Sequence, residues 1–263
     1  MLLQQPPESP YDIRFGLLGF STRISWTFWL VAVVLGYELS QGIDAKFGND
    51  SPGSIVFLLI WCAAMAVSII VHELGHALAF RRYGIESSMV LYYLGGLAIP
   101  QATFRGSRSF RSVGSREELI IAAAGPAFQI GSAILVVLAA WLAGYQVLFL
   151  RMLPGPLADV AQYVRGNEFE NAASFAFVNF YVWPSVLWGL LNLVPVLPLD
   201  GGRIAKSIIE MQGGNVTTAV WISVITAALI AFYGFSNNNI FLGLFFASLA
   251  INNYQSIQPS NPW

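Results

Sequence analysis

Charged side chains are what this sequence most lacks. Lys, Arg, Asp and Glu supply only 10% of its 263 residues, while 56% are hydrophobic and the mean hydropathy is +0.62. An ordinary soluble domain carries about 25% charged residues, so the chain has too little polar surface to stay in water and reads as a multi-spanning membrane protein. Cysteine is almost absent: Cys62 stands alone in an apolar stretch, which excludes a disulfide or a thiolate metal site and leaves a small buried hydrophobe. Basic blocks are absent too, and a net charge of -1 gives nothing to track a phosphate backbone, so no nucleic-acid partner is expected. No internal repeat of fixed period is visible. Residues 1–20 lack the basic start and cleavage site of a secretory signal, and residues 1–23 are expected to form a cytoplasmic tail.

What is present is long apolar runs. About 20 helical residues cross roughly 30 Å of hydrocarbon. Five runs are clear and one is weak: Ile24 to about Gln41, Ser54–Phe80, Leu119–Leu150, Asn171–Leu199, the charge-free stretch after Glu210, and the short Ile240–Ile251. The fourth is expected to kink or split at Pro184 and to break at Pro195 and Pro198. Gly234 with Ser236-Asn237-Asn238-Asn239 divides the charge-free tail into the last two. The predicted fold is therefore an all-α polytopic membrane protein of about six transmembrane helices. It is organised as a membrane-embedded domain over 24–254 with a short tail over 255–263, and no appended soluble domain is expected. Ser87–Leu94, then Gly95-Gly96 and Leu97–Pro100, has the β-branched and aromatic content of a small hairpin in the loop after the second span.

Orientation follows from the basic residues. With a cytoplasmic N-terminus and six spans, ten Lys and Arg fall inside and only Lys46, Arg151 and Arg165 outside, which favours an integral protein with both termini cytoplasmic. Arg105, Arg108, Arg111 and Arg116, interleaved with Phe104 and Phe110, either lie on the anionic leaflet or act only as topology signals. The tryptophans Trp26, Trp29, Trp183, Trp188 and Trp221 read as interface or packing residues.

The only two histidines read His72-Glu73-Leu74-Gly75-His76. Positions four apart share one helix face, so both imidazoles can hold one metal ion while the glutamate between them reaches its water. For this composition the chance of such a match is on the order of one in 4,000. A second argument is independent of the pattern: a glutamate in an otherwise charge-free run is costly in a bilayer and needs compensation, which a divalent cation supplies. Zinc in a catalytic centre usually takes three protein ligands, so one more must come from elsewhere. The candidates in or beside the spans are Glu38, Asp200 and Glu210. Glu38 lies near the opposite membrane face, whereas Asp200 follows helix-breaking Pro195 and Pro198 and precedes Gly201-Gly202, a turn that lets its carboxylate point back into the bundle.

With these residues in view, the chain resembles the site-2 proteases, the intramembrane zinc metalloproteases of peptidase family M50. His72, Glu73 and His76 match the family's HExxH, and Leu199-Asp200-Gly201 its LDG. Asn192 matches an asparagine placed eight residues before that aspartate. Gly95-Gly96 is similar to a glycine pair in the substrate-holding loop, and Gly125-Pro126 to the start of a GPxxN motif. The likeness covers about 54–205, the catalytic core. Gln129 departs from it, standing where the motif usually carries Asn, and neither a PDZ nor a CBS domain is expected. The resemblance implies one Zn2+ held by His72, His76 and Asp200, Glu73 as general base, Asn192 at the reacting carbonyl, and Gly95 and Gly96 at the substrate. It further implies membrane lipid and a membrane-protein substrate with a transmembrane segment as partners, cleaved in regulated intramembrane proteolysis in a bacterial cell membrane. Oligomeric state is open. Two other readings differ in class. A catalytically silent scaffold of the same fold would have lost a ligand or the base, and none is lost. A transporter built on Glu38 and Asp200 would show repeated halves.

Overall fold

In a computed structural model, residues 6–93, 95–101, 113–152 and 155–258 are described. Arg105, Arg108, Arg111, Phe104 and Phe110 lie outside them. The elements in order are β1 (Ile13–Leu17), β2 (Phe20–Ile24), α1 (Trp26–Phe47), α2 (Ser54–Arg82), β3 (Ser87–Tyr92), β4 (Gly95–Pro100), α3 (Ser115–Leu142), α4 (Ala172–Asn192), α5 (Asp200–Met211), α6 (Val216–Ser236) and α7 (Ile240–Ile257). Short 3-10 turns cover Gly48–Asp50, Leu148–Met152 and Gly155–Gln162.

Among the described residues five helices, α2, α3, α4, α6 and α7, are long and apolar enough to cross a membrane. α1 is a sixth long helix, 22 residues, whose second half carries Glu38, Gln41, Asp44 and Lys46. The protein is thus a multi-pass membrane protein, helical apart from one small sheet, as the sequence predicts. Local chemistry moves several boundaries. The third apolar run continues to Leu150, yet α3 ends at Leu142. There Gly144 turns to φ 85° and Tyr145 N donates to Ala140 O at 2.8 Å, the closure of a helix end by a left-handed glycine. α4 runs through Pro184 without splitting. The weak last run is a full helix of 18 residues, started by Asn239, whose side chain accepts from Leu242 N.

The expected hairpin is present, with β3 antiparallel to β4 from Ser87↔Pro100 to Tyr92↔Gly95. It is half of a larger sheet. Residues 13–24, read in sequence only as part of a tail, form the β1–β2 hairpin, and β2 adds parallel to β3 through Thr22↔Met89 and Ile24↔Leu91. Among the described residues, the order β1-β2-β3-β4 gives β4 a strand neighbour on one side only. Arg23 and Asp12 pin this hairpin: their side chains, 7% and 0% exposed, meet at 3.0 Å, and Arg23 also donates to the carbonyls of Pro6 and Pro7.

The chain divides into two compact units. One lies within Gln5–Thr103 and Ala127–Gly189, the other within Phe104–Pro126 and Leu190–Trp263. The first holds the sheet, α1, α2 and most of α3 and α4. Its largest core joins Phe28, Phe57, Trp61, Met65 and Phe180, and Trp61 Nε1 donates to Ala32 O at 2.8 Å. Cys62 is buried in that core as a free thiol. The second unit holds α5, α6 and α7 around Val196, Ala227, Phe246 and Leu249.

Candidate active site

The first unit carries the motif histidines on α2, whose sequence from Ile55 to Val71 has no charge. His72, Glu73 and His76 are each at least 96% buried. The i, i+4 spacing sets the two rings one turn apart, with centroids 4.9 Å apart and planes at 76°. Their Nε2 atoms face one another at 3.2 Å. Two nitrogens on one tetrahedral zinc, each at about 2.0–2.1 Å, would lie roughly 3.3 Å apart, so the pair fits a shared metal ion.

His72 is held from behind. Its Nδ1 lies 2.9 Å from Gln129 Oε1 on α3, and Gln129 Nε2 donates to Ser68 Oγ at 2.9 Å. Gln129 is fully buried. The departure from the family's asparagine therefore falls on a residue that touches a histidine of the motif.

Glu73 lies against β4. A β-carbon built on Gly96 would stand 2.3 Å from Glu73 Oε1 and 2.4 Å from its Cγ, so only glycine lets the strand pass this close. Gly95, at φ 114°, has its corresponding direction filled by Trp188, 2.7 Å from the would-be carbon. The glycine pair thus gives β4 close passage past the carboxylate and past an α4 aromatic.

In the second unit, Asp200 is the first residue of α5 and is buried. The turn from Leu193 to Leu199 that delivers it is clamped: Leu197 N donates to Ser223 Oγ at 3.0 Å, and Asn253 Nδ2 to Leu197 O at 2.6 Å. Gly201 and Gly202 lie on that turn's backbone, where β-carbons would meet Leu193 O at 2.1 Å and Leu197 N at 2.3 Å. Asp200 Oδ1 accepts from Arg203 at 3.3 Å, and Arg203 Nε donates to Glu118 Oε1 at 2.8 Å. Asn192, half-buried, closes α4. The rival carboxylates are placed otherwise: Glu38 is exposed on α1, and Glu210 accepts from Ser115 Oγ at 2.9 Å with Lys206 at 3.8 Å. Sequence reasoning missed Ser68, Ser223, Asn253 and the Glu118–Arg203 pair. Arg203 counted there only as a topology signal, and a lone serine or asparagine in an apolar run gives no signal of what it meets.

Comparison with known proteins agrees with this anatomy. The profile of Peptidase family M50 matches residues 60–235, more than half of the chain. A provisionally named zinc metalloprotease of Synechocystis sp. is 31% identical over 218 residues, 81% of this chain and 48% of that protein. A zinc metalloprotease of Methanocaldococcus jannaschii is 25% identical over 242 residues, 88% of this chain and 56% of that protein. The chain thus spans about half the length of these relatives. The solved site-2 protease of M. jannaschii superposes with a TM-score of 0.51 at 23% identity, covering 96% of this chain and 98% of that one, so the two share a fold. The chain belongs to peptidase family M50, the zinc metalloprotease family that includes the site-2 proteases.

Proposed function

We propose that the protein is an intramembrane zinc metalloprotease that hydrolyses peptide bonds within or next to transmembrane segments of membrane-protein substrates. The observation that carries this reading is the buried His72–His76 pair, Nε2 to Nε2 at 3.2 Å, with Glu73 between them on a helix long and apolar enough to cross a membrane. Asp200 is the third ligand. Together the three offer two imidazole nitrogens and a carboxylate oxygen, all from buried residues, a donor set that suits zinc. When bound, zinc lowers the pKa of a coordinated water toward about 7 and polarises the scissile carbonyl.

The other roles belong to side chains of this chain. Glu73 takes the proton of the attacking water and returns it to the leaving amine, which its place one residue from His72 suits. Asn192 donates to the carbonyl oxygen as negative charge develops there. β4 receives the substrate: it has a strand neighbour on one side, and its Gly96 backbone passes against Glu73, so an extended segment paired with it would be held beside the base. A helical substrate hides its carbonyls in hydrogen bonds, so helix-breaking residues near the cleavage point favour turnover. The excess of basic residues in the loops assigned inside orients the protein in the cell membrane with both termini cytoplasmic.

The test is cleavage of a membrane-embedded substrate by the purified chain with zinc. Glu73→Gln is expected to keep its zinc and lose turnover. Cleavage by this variant at the wild-type rate would overturn the proposal.

A further inference from the structure

Behind His72 a run of buried polar groups crosses from α2 to α3 to α4, all within the first unit. Beyond Ser68, the Ser185 hydroxyl oxygen lies 2.8 Å from Ser68 Oγ and 2.6 Å from the backbone carbonyl oxygen of Tyr181. Ser68, Gln129 and Ser185 are all fully buried. In an apolar surrounding each such group is retained only with its partners satisfied, because an unmade hydrogen bond there costs about 1–3 kcal/mol.

The Ser185 hydroxyl donates toward both Tyr181 O and Ser68 Oγ. Ser68 Oγ also accepts from the NH2 of Gln129, which turns the Gln129 carbonyl toward His72. An amide carbonyl can only accept. His72 Nδ1, 2.9 Å from that carbonyl, must then carry the hydrogen. A neutral imidazole protonated at Nδ1 has its lone pair on Nε2, the atom that faces His76. A second path ties down the backbone of the same residue: Ser132 Oγ donates to Gln129 O at 2.7 Å and, its hydrogen spent, accepts from the Tyr181 hydroxyl at 2.7 Å.

We propose that Gln129 is a positioning residue for the metal centre, which locks His72 in the Nδ1–H tautomer and fixes its ring through the chain His72–Gln129–Ser68–Ser185–Tyr181 C=O. Gln suits this task where the shorter Asn does not. One methylene less could not keep the carbonyl on His72 and the NH2 on Ser68 at once. The inference rests on the metal-binding part of the function proposed above and is independent of whether the chain cleaves any substrate.

Two measurements decide it. The chain has only two histidines, so 15N labelling of imidazoles gives two ring systems, told apart by a His76→Gln variant. In the metal-free protein His72 is expected to carry its hydrogen on Nδ1, and in Gln129→Leu to lose that preference. Zinc affinity, read by competition with a chelator, is expected to fall roughly 10- to 100-fold in Gln129→Leu and to stay within a few-fold of wild type in Gln129→Glu, which still accepts from Nδ1–H. A wild-type His72 protonated on Nε2, or a folded Gln129→Leu protein with unchanged zinc affinity, would sink the proposal. If Gln129→Leu does not fold, the wild-type spectrum and Gln129→Glu still decide. Loss of cleavage with tautomer and zinc affinity intact would count against the protease reading and leave this one standing.

Discussion

Glu73 occupies the space that a side chain at position 96 would need. The carboxylate oxygen lies 2.3 Å from where the first side-chain carbon of residue 96 would sit, so the proposed general base and the strand proposed to receive substrate share one contact. Gly96→Ala must push one of them aside. A displacement of about 1 Å at a reacting group can cost on the order of 100-fold in rate. We expect Gly96→Ala to lower turnover by about that factor while zinc content stays at one per chain, because the three atoms nearest the new methyl group all belong to Glu73. Parallel assays of cleavage and bound zinc check this.

Removing the metal is expected to cost stability as well as activity. A ligand bound only by the folded state stabilises it by about 2.7 kcal/mol at 100 times its dissociation constant. Chelator treatment should therefore lower the thermal unfolding midpoint in detergent, and zinc should restore both midpoint and cleavage. The same titration on His76→Ala should show no zinc-dependent rise.

Arg203 offers a probe of Asp200. Its guanidinium bridges Asp200 Oδ1 and Glu118 Oε1, so Arg203→Leu unties the carboxylate from α3. Zinc affinity is expected to fall roughly 10-fold or more, with a smaller loss in Glu118→Gln, which keeps Arg203 in place. Competition with a chelator separates the two variants.

The N-terminal hairpin should be acid-sensitive. Burial raises the Asp12 carboxyl, but donation from Ser9 N, Trp26 N and Arg23 and the charge of Arg23 outweigh it and hold the group below its usual 3.8. A carboxyl lowered in the folded state contributes stability that is complete above its ordinary value and is lost as pH falls through its folded value. Limited proteolysis should therefore leave residues 6–24 intact near neutrality and open them as pH drops below about 4. Asp12→Ala should open them at pH 7 as well, through the loss of about 2 kcal/mol of charged hydrogen bonding to Arg23.

Much of the site could be read from the sequence because its rules are local. A separation of four positions from His72 to His76 means one helical turn whatever the rest of the chain does, and β-branched and aromatic residues on either side of Gly95-Gly96 mean a hairpin. What could not be read depends on groups far apart in the chain. The pairing of Thr22 with Met89 spans 67 positions and makes a sheet of what reads as a tail. Arg203 looks like any cytoplasmic-side cation until Glu118 and Asp200 are seen on either side of it. Gln129 reads as a mismatch to a motif until His72 and Ser68 are seen on either side of its amide.

Among the described residues β4 has a companion along one margin only, and its Gly95-Gly96-Leu97-Ala98 have small or simple side chains. On the function proposed above, such a margin grips main chain and ignores identity. Client choice would then follow how readily a segment melts, so peptide-backbone mimics should inhibit broadly while side-chain decoration adds little discrimination.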